Sequence, residues 1–311
     1  MILLDSSLLA FLKAYDSEEA CLEAIFDAKW PKGFRCPYCQ HDDGYRLSKP
    51  RTMQCASCKR QTSITANTVF QDSRVPLRKW FLTIYLVAHD KGGVSASRLA
   101  IQLGVKRDTA TLLLRKIRFA MGTRDKNLTL AGYIELDEAF LGGRSKNKRL
   151  GKSPFDGKVQ VLVMVESENM AAGNLVMKVI PDNTLESLRA VISEKVESDP
   201  PGQRFKADGL GRHHVVRMLG HHINMSVMSK AELNTQMACL SLAVSHVKRF
   251  FKGTYHHFCR LRIQEYLDEF CYRWNRRHFE KTLASHLITA CVLHPVVTAN
   301  LSKGPIIRAA A

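Results

Sequence analysis

Two residue types in this chain could carry chemistry, thiols and carboxylates, and each falls in a pattern. Four cysteines cluster as Cys36-Pro-Tyr-Cys39, fifteen residues, then Cys55-Ala-Ser-Cys58. Each C-x-x-C is a tight knuckle that aims two thiolates at one point. Two knuckles on adjacent hairpins close a tetrahedral cage of four sulfurs, which structural Zn²⁺ prefers. A closed cage activates no water. Its expected role is to fold a segment of roughly 30 residues that is too small to hold itself by core burial. Four thiolates also suit an iron–sulfur cluster, the weaker reading. His41 lies close by, but the cysteines already fill the shell. The acids form the second pattern. Asp137 sits near the end of Tyr133-Ile-Glu-Leu-Asp-Glu-Ala-Phe140, and Asp208 ends Phe205-Lys-Ala-Asp208-Gly209. Two carboxylates meeting where neighbouring strands end, in a basic chain, suit Mg²⁺ or Mn²⁺ acting on phosphates. Spacing alone fits equally a simple turn at Asp208-Gly209 and a surface Asp137.

Positioning these groups requires several elements. Asp16-Ser-Glu-Glu19 resembles a capping box, and Cys21, Leu22, Ile25 and Phe26 follow at helical spacing up to Trp30-Pro31. Thr62 to Phe70 reads as extended. From Pro76 the period is helical, with Leu77, Trp80, Phe81, Ile84, Tyr85 and Val87 on one face. After Gly92-Gly93 come a short helix, a turn at Gly104 and a longer helix, the pattern of a helix-turn-helix. Lys106, Arg107, Thr109, Thr111 and Arg115 are candidates to face DNA there, with Arg115 and Lys116 on phosphates. An ordinary helical hairpin with solvated charges is the alternative.

Beyond Gly122 strands appear. Tyr133–Phe140 alternates, Val159–Val165 is almost wholly apolar, and Gly173–Ile180 is a third strand. A helix over 183–196 follows, then a short strand ending at Asp208, another over His222–Val227, and a long helix from about Leu233 to Phe251. The order predicts an α/β fold, a mixed sheet with helices on its faces.

The charge balance limits the function. The 311 residues carry 46 Lys and Arg against 29 Asp and Glu, a net +17, with 45% hydrophobic residues. That apolar content excludes disorder as the main state, and the length suggests two or three domains. No apolar run approaches the ~20 residues of a spanning helix. The apolar start carries Asp5 and lacks a basic leader, so a reducing cytoplasm is expected and disulfides are not. Cys21, Cys239, Cys259, Cys271 and Cys291 then read as small buried hydrophobes. Positive charge of this size points to a polyanion, above all nucleic acid. Residues 1–128 hold 21 basic against 12 acidic residues and 129–311 hold 25 against 17, so both halves share it.

Through most of its length the chain resembles insertion-sequence transposases of the ISXO type, with an N-terminal zinc ribbon and an RNase-H-like DDE domain. The blocks that carry the resemblance are Trp30-Pro31, the two C-x-x-C knuckles, Thr65 to Phe70, Leu77-Arg-Lys-Trp80-Phe81 and Gly93-Val-Ser95-Ala. They continue through Ile134-Glu-Leu-Asp137-Glu138, Gly142-Gly143, Lys248-Arg249, Gly253-Thr-Tyr-His-His257 and Tyr266-Leu-Asp-Glu269-Phe to Trp274-Asn-Arg-Arg277. The resemblance implies an N-terminal helix and ribbon over 1–62 and a helix-turn-helix region over 63–128. An RNase-H-like catalytic domain over 129–257 and a C-terminal helix and tail over 258–311 would follow. It implies metal-dependent cleavage and strand transfer of double-stranded DNA at element ends and target. A nucleoid-associated bacterial dimer or larger assembly would do this work.

By the same resemblance, Asp137 and Asp208 are the first two metal ligands. The third lies seven residues before a basic residue on the long helix, and counting back from Lys248 gives Ser241 where the family commonly has Glu or Asn. Asn234 would share that stripe of a continuous helix, His246 is about 140° from Ser241 and Glu232 fits worst. Two acids with a neutral oxygen, a water completing the shell, or a degenerate site all remain open. The degenerate case makes the chain a DNA-binding protein without chemistry. Glu135, on Asp137's face, is at best a supporting residue, and alternation puts Glu138 on the opposite face. Lys248 and Arg249 are candidate DNA contacts. So are Arg144, Lys146, Lys148, Arg149 and Lys152 in a basic loop, and Tyr255, His256 and His257 after the helix.

Overall fold

The computed structural model describes residues 7–47, 51–142, 158–169, 171–182, 184–198, 203–209, 211–255 and 260–294. The expected basic loop with Arg144, Lys146, Lys148, Arg149 and Lys152 lies outside the described residues, as do His256, His257 and 301–311. Two compact units form. One is built on 1–124 with 276–302, the other on 125–275.

The first unit begins with α1 (Leu8–Ala14) and α2 (Glu18–Lys29). Ser17 starts α2 by accepting from Ala20 N at 3.1 Å, a cap worth about 1 kcal/mol. Cys21, Leu22 and Ile25 form its buried face. Strands β1 (Gly44–Arg46), β2 (Thr52–Cys55) and β3 (Gln61–Ser63) make an antiparallel meander. The extended conformation expected as far as Phe70 stops at Ser63. The Thr68 hydroxyl donates to Thr65 O at 2.7 Å and accepts from Phe70 N at 3.1 Å, which ties the segment into turns. Lys29 Nζ donates to the carbonyls of Ser63, Ile64 and Ala66 and fixes the ribbon's exit to the end of α2.

Helices α3 (Leu77–His89), α4 (Ala96–Leu103) and α5 (Arg107–Arg124) follow. The predicted apolar face of α3 is buried as expected. Gly104 closes α4 at φ +60°, the left-handed conformation that a residue without Cβ adopts most easily. The N-cap of α3, Pro76, offers no side-chain oxygen. Glu18 supplies it instead: Oε2 accepts from Leu77 N at 3.0 Å and Oε1 from Arg78 N at 3.1 Å. Arg51 donates to the same carboxylate at 3.0 Å. One side chain thus joins α2, β2's approach and the start of α3.

The second unit contains β4 (Tyr133–Leu141), β5 (Val159–Glu168), β6 (Ala171–Val179), α6 (Leu185–Lys195), β7 (Arg204–Asp208), α7 (Val215–Met218) and β8 (His222–Ser226). Helices α8 (Lys230–Gln236), α9 (Ala238–Thr254) and α10 (Ile263–Asn275) complete it. The sheet order is β6-β5-β4-β7-β8. β4–β5 and β5–β6 pair antiparallel, whereas β4–β7 and β7–β8 pair parallel. This is the expected RNase-H-like mixed sheet with helices on both faces.

Side chains alternate between two cores. Ile134, Leu136, Phe205 and Ala207 pack with Leu188, Ile192 and Val215 of α6 and α7. Ala139, Leu141, Val161 and Val163 pack with Leu240, Ala243 and Val247 of α9 and Leu267 of α10. α10 also covers the sheet edge. Gln264 accepts from Val179 N and donates to Met177 O, Asn275 exchanges bonds with both backbone groups of Leu175, and Trp274 Nε1 donates to Gly173 O. An edge strand whose polar groups are already paired offers no template for another chain.

The expected helix from Leu233 to Phe251 is two helices. Met237 leaves helical geometry at φ −128° and ψ 54°, and its side chain is fully buried in the core. Ser229 and Glu232 form a capping box for the short α8. Asn234 and Thr235 are weak helix formers, so little propensity is lost in the break. After α10 the chain enters α11 (Leu283–Leu293), which packs on α2, α3 and α5. Val69 N also donates to Cys291 O. Within the segment read as a C-terminal helix and tail, α10 packs on the sheet and α11 belongs to the first unit.

Glu18→Ala should remove the carboxylate that accepts from Leu77 N and Arg78 N at the start of α3. The expected loss is about 1–2 kcal/mol in denaturant unfolding of the first unit, with Glu18→Gln retaining part of it. An unchanged midpoint for Glu18→Ala would show that α3 needs no cap.

Candidate active site

The ribbon sets its four sulfurs by backbone geometry. Cys36 N donates to His41 O at 2.8 Å, and Cys55 N donates to Arg60 O at 3.0 Å. Each knuckle turns through a left-handed residue four positions after its first cysteine, Gln40 at φ 62° and Lys59 at φ 55°. The sulfurs of Cys36 and Cys58 are 3.7 Å apart and those of Cys39 and Cys55 are 3.5 Å apart. A tetrahedron with bonds of about 2.3 Å has edges of about 3.8 Å, so the cage fits Zn²⁺. All four sulfurs lie within 4.8 Å of one another. His41 is exposed and outside the cage, near Asp42.

In the sheet, parallel pairing of β4 with β7 sets Leu136 opposite Ala207. Asp137 and Asp208 are the next residues on each strand. Their backbones are therefore neighbours at about 4.8 Å, and alternation turns both side chains to the face opposite Leu136 and Ala207. Burial pushes the Asp137 carboxyl up to about 6, and the charge of Asp208 adds to that effect. Asp137 Oδ1 accepts from Glu138 N at 2.7 Å. Gly209 follows Asp208 because a Cβ there would stand 2.5 Å from Val227 Cγ2 and 3.0 Å from Val227 N.

Three residues not expected at the site surround the acids. Arg212 grips Glu138 with two bonds, Nε to Oε1 at 2.7 Å and Nη2 to Oε2 at 2.9 Å. His213, 0% exposed, places Nε2 3.3 Å from Glu138 Oε1 and Nδ1 3.1 Å from Asp208 Oδ1. Burial opposes charge on His213, but the bonds to Asp208 and Glu138 outweigh it and hold the imidazole at about 9. Burial would likewise raise Glu138, yet bonds from His213 and Arg212 bring it down to about 2.

Asp137, Glu138 and His213 offer ligand atoms within 4.8 Å of one another. Both ring nitrogens of His213 are engaged by carboxylates, and both Glu138 oxygens by Arg212. Asp137 and Asp208 therefore remain the candidate ion-binding pair, a donor set of hard oxygens that fits Mg²⁺ or Mn²⁺. Strand alternation alone had set Glu138 aside. Its role comes from the turn Gly211–His214, which carries Arg212 and His213 back against β4. The legible signal was a basic pair four and five residues after an acid.

Glu135 points to the same face as Asp137 and is buried. Its Oε2 accepts from Leu240 N at 2.7 Å, so it caps the start of α9, whose N-cap Met237 offers no side-chain oxygen. Burial raises this carboxyl, and the backbone donors of the helix work against that. Ser241 lies one residue beyond, half-buried, and its hydroxyl donates to Leu233 O at 3.2 Å across the break. The break takes Asn234 out of the α9 stripe on which Ser241 and Lys248 lie. His246 packs edge-on against Trp274 of α10, on the flank away from Ser241.

The expected DNA contacts divide by exposure. Lys106 and Arg107 are exposed at the start of α5, and Lys248 and Arg249 are exposed on α9. Arg115 and Lys116, expected on phosphates, are buried at 8% and 7% exposure. Lys116 Nζ donates to Val69 O at 3.1 Å and lies 5.8 Å from the centre of the Trp80 ring. Both residues belong to the inner face of α5 because its apolar stripe (Leu113, Leu114, Ile117) is flanked by their long aliphatic stems. Tyr255 is buried against Phe250 and Tyr266 and does not line a channel.

Comparison with known proteins now bears on this geometry. Residues 129–275 match the family described as ISXO2-like transposase domain, and residues 16–61 match the transposase zinc-ribbon domain. The chain carries a transposase zinc ribbon and an ISXO2-like transposase domain. The transposase domain coincides with the sheet unit and contains Asp137, Asp208 and their bracing residues. A relative from Halobacterium salinarum, described as an uncharacterized protein in transposable element ISH50, is 27% identical over 140 residues. That match covers 44% of this chain and 46% of the relative, so the chain spans about half of that protein's length. The crystal structure of the Mos1 strand transfer complex is 12% identical, covers 68% of this chain and 74% of its own, and has a TM-score of 0.31, too low to carry an argument. No helix among the described residues is long and apolar enough to cross a membrane.

Two outcomes follow from the cages. Removing zinc with a chelator should unfold the ribbon and expose the Cys36 and Cys55 amides to rapid exchange, because the cage rather than a core holds them. Slow exchange in the metal-free protein would refute that. Asp137→Asn should stabilise the metal-free protein by roughly 1–3 kcal/mol at pH 7.5, since it removes a buried, repelled charge. The folded-state value lies above the unfolded one. The gain is therefore absent below about pH 4, develops as pH rises and is complete above about 6. Equal stability at pH 7.5 would mean the charge is not penalised.

Proposed function

We propose that this protein is a DNA transposase that cleaves and joins strands at the ends of an insertion sequence. The observation that carries the reading is the juxtaposition of Asp137, midway along β4, with Asp208 at the end of the neighbouring β7, inside a transposase domain. The reaction is two in-line displacements at phosphorus. Water opens the phosphodiester at the element end and leaves a 3′-OH. That hydroxyl then attacks a phosphodiester of target DNA and expels a new 3′-OH. Divalent ions held by Asp137 and Asp208 would supply Lewis-acid activation of the attacking and leaving oxygens.

The chain's own residues bind and orient. Asp137 and Asp208 hold the ions, and Glu135 fixes α9 against β4. Lys248 and Arg249, exposed on α9, contact phosphates, and Arg144, Lys148 and Arg149 are further phosphate contacts on the strength of their charge in sequence. Lys106 and Arg107 stand exposed at the start of α5, where the positive end of the helix dipole also favours phosphate. The ribbon and the α4–α5 pair grip double-stranded DNA at the terminal inverted repeats. A dimer or larger assembly brings two ends together on the nucleoid. Segments 1–62, 63–128, 129–257 and 258–311 describe the division of labour along the chain, with α11 returning to support the first. Ser241 favours a second reading, a DNA-binding protein that has lost chemistry, because its hydroxyl is committed to Leu233 O and is a poor ligand.

Cleavage of element-end DNA with Mn²⁺ separates the two. Wild type should nick, and Asp208→Asn should lose about a thousandfold, or ~4 kcal/mol of transition-state stabilisation. Wild type inert and Ser241→Glu active would establish the second reading. Asp208→Asn as active as wild type would remove Asp208 from the site.

A further inference from the structure

The three residues around the acids form a chain of contacts with a definite geometry. Glu138 follows Asp137 on β4. Arg212 and His213 follow Asp208 after β7, on the turn Gly211–His214. Each candidate ligand thus has a bracing residue close in sequence, and the braces cross. His213 Nδ1 holds Asp208 Oδ1 at 3.1 Å, while its Nε2 lies 3.3 Å from Glu138, the residue next to Asp137. Arg212 closes the arrangement with its two-pronged grip on Glu138. His213 is wholly enclosed, so water does not compete for either ring nitrogen.

We infer that His213 is a positioning residue for the ion site: through Nδ1 it fixes the carboxylate of Asp208, and Glu138 with Arg212 fixes His213. The inference rests on the reading that Asp137 and Asp208 bind divalent ions. A packing histidine needs neither a specific nitrogen nor a carboxylate at each end. A positioning histidine needs both, since one bond sets the rotation of the Asp208 carboxylate and the other sets the ring. The brace also joins the middle of β4 to the end of β7 through side chains, so it sets the spacing of the two acids as well as their angle. Carboxylate ligands bonded in this way lose roughly 10–100-fold in metal affinity when the supporting group is removed.

The two amide variants separate the nitrogens. In His213→Asn the amide occupies the place of Nδ1 and can still donate to Asp208. In His213→Gln it reaches the place of Nε2 and keeps Glu138 alone. Mn²⁺ binding to the full chain without DNA is read from the electron paramagnetic resonance signal of free Mn²⁺, with circular dichroism as the check on folding. His213→Gln should bind Mn²⁺ roughly 10–100-fold more weakly, and His213→Asn should stay close to wild type. In cleavage assays His213→Gln should raise the Mn²⁺ concentration for half-maximal rate and recover most of the rate at saturation. Gln binding like wild type, or Asn and Gln losing affinity equally, overturns the inference. Glu138→Gln, isosteric with the native residue, gives an independent reading if both histidine variants unfold. It should weaken Mn²⁺ binding, and unchanged binding overturns the inference. Asp208→Asn is the control for the underlying site. If it binds Mn²⁺ like wild type, the ion-site reading falls and the inference with it. If it loses Mn²⁺ while His213→Gln does not, the inference alone falls.

Discussion

The parallel pairing of β4 with β7 is the contact on which the second unit depends, because it makes neighbours of two acids that repel. Every element near that pairing offsets the consequence. Arg212 and His213 bring positive charge against Glu138 and Asp208. Asp137 pays part of the cost itself, with a carboxyl raised to about 6 by burial and by Asp208. Uncompensated carboxylates in such a place repel one another strongly, and cations relieve the repulsion. The geometry that disfavours the empty pair is the geometry that attracts divalent ions.

The same pairing fixes α9. Glu135 lies two residues before Asp137, and its carboxylate caps the helix by accepting from Leu240 N. A helix start held by a buried acid of the sheet cannot slide relative to Asp137 and Asp208 on the same sheet face. The break at Met237 follows from this. A continuous helix would carry Leu240 N as an interior donor, bonded to its own helix and unavailable to Glu135. Breaking the chain frees that donor and buries Met237 in the core.

The first unit is held differently. Its ribbon has three strands of three or four residues and little core, so four thiolates and a bound ion take the place of burial. Lys29 and Glu18, one at each end of α2, then fasten the ribbon's exit and the start of α3. α11 adds an almost wholly apolar helix from the far end of the chain. That return is invisible to a local reading, since its partners α2, α3 and α5 lie some 160 residues or more earlier in the numbering.

Local pattern by itself determined the zinc cage, the apolar face of α3, the α4–Gly104–α5 turn and the strands with their two acids. Each depends on spacing within a few residues, and spacing is what a sequence displays. The motif blocks carried the resemblance to the transposase domains whose families match. Tertiary structure alone decided the rest. Arg115 and Lys116 read as phosphate contacts by charge, yet they turn inward because an aliphatic stem can lie along a core while its head finds a carbonyl, as Lys116 does with Val69 O. The 3-4 stripe from Leu233 to Phe251 predicted one helix, since a single non-helical residue barely disturbs such a period. Glu138 was dismissed by alternation, and His213 was not singled out at all. Their contact joins residues 75 positions apart, and only the folded sheet brings them together.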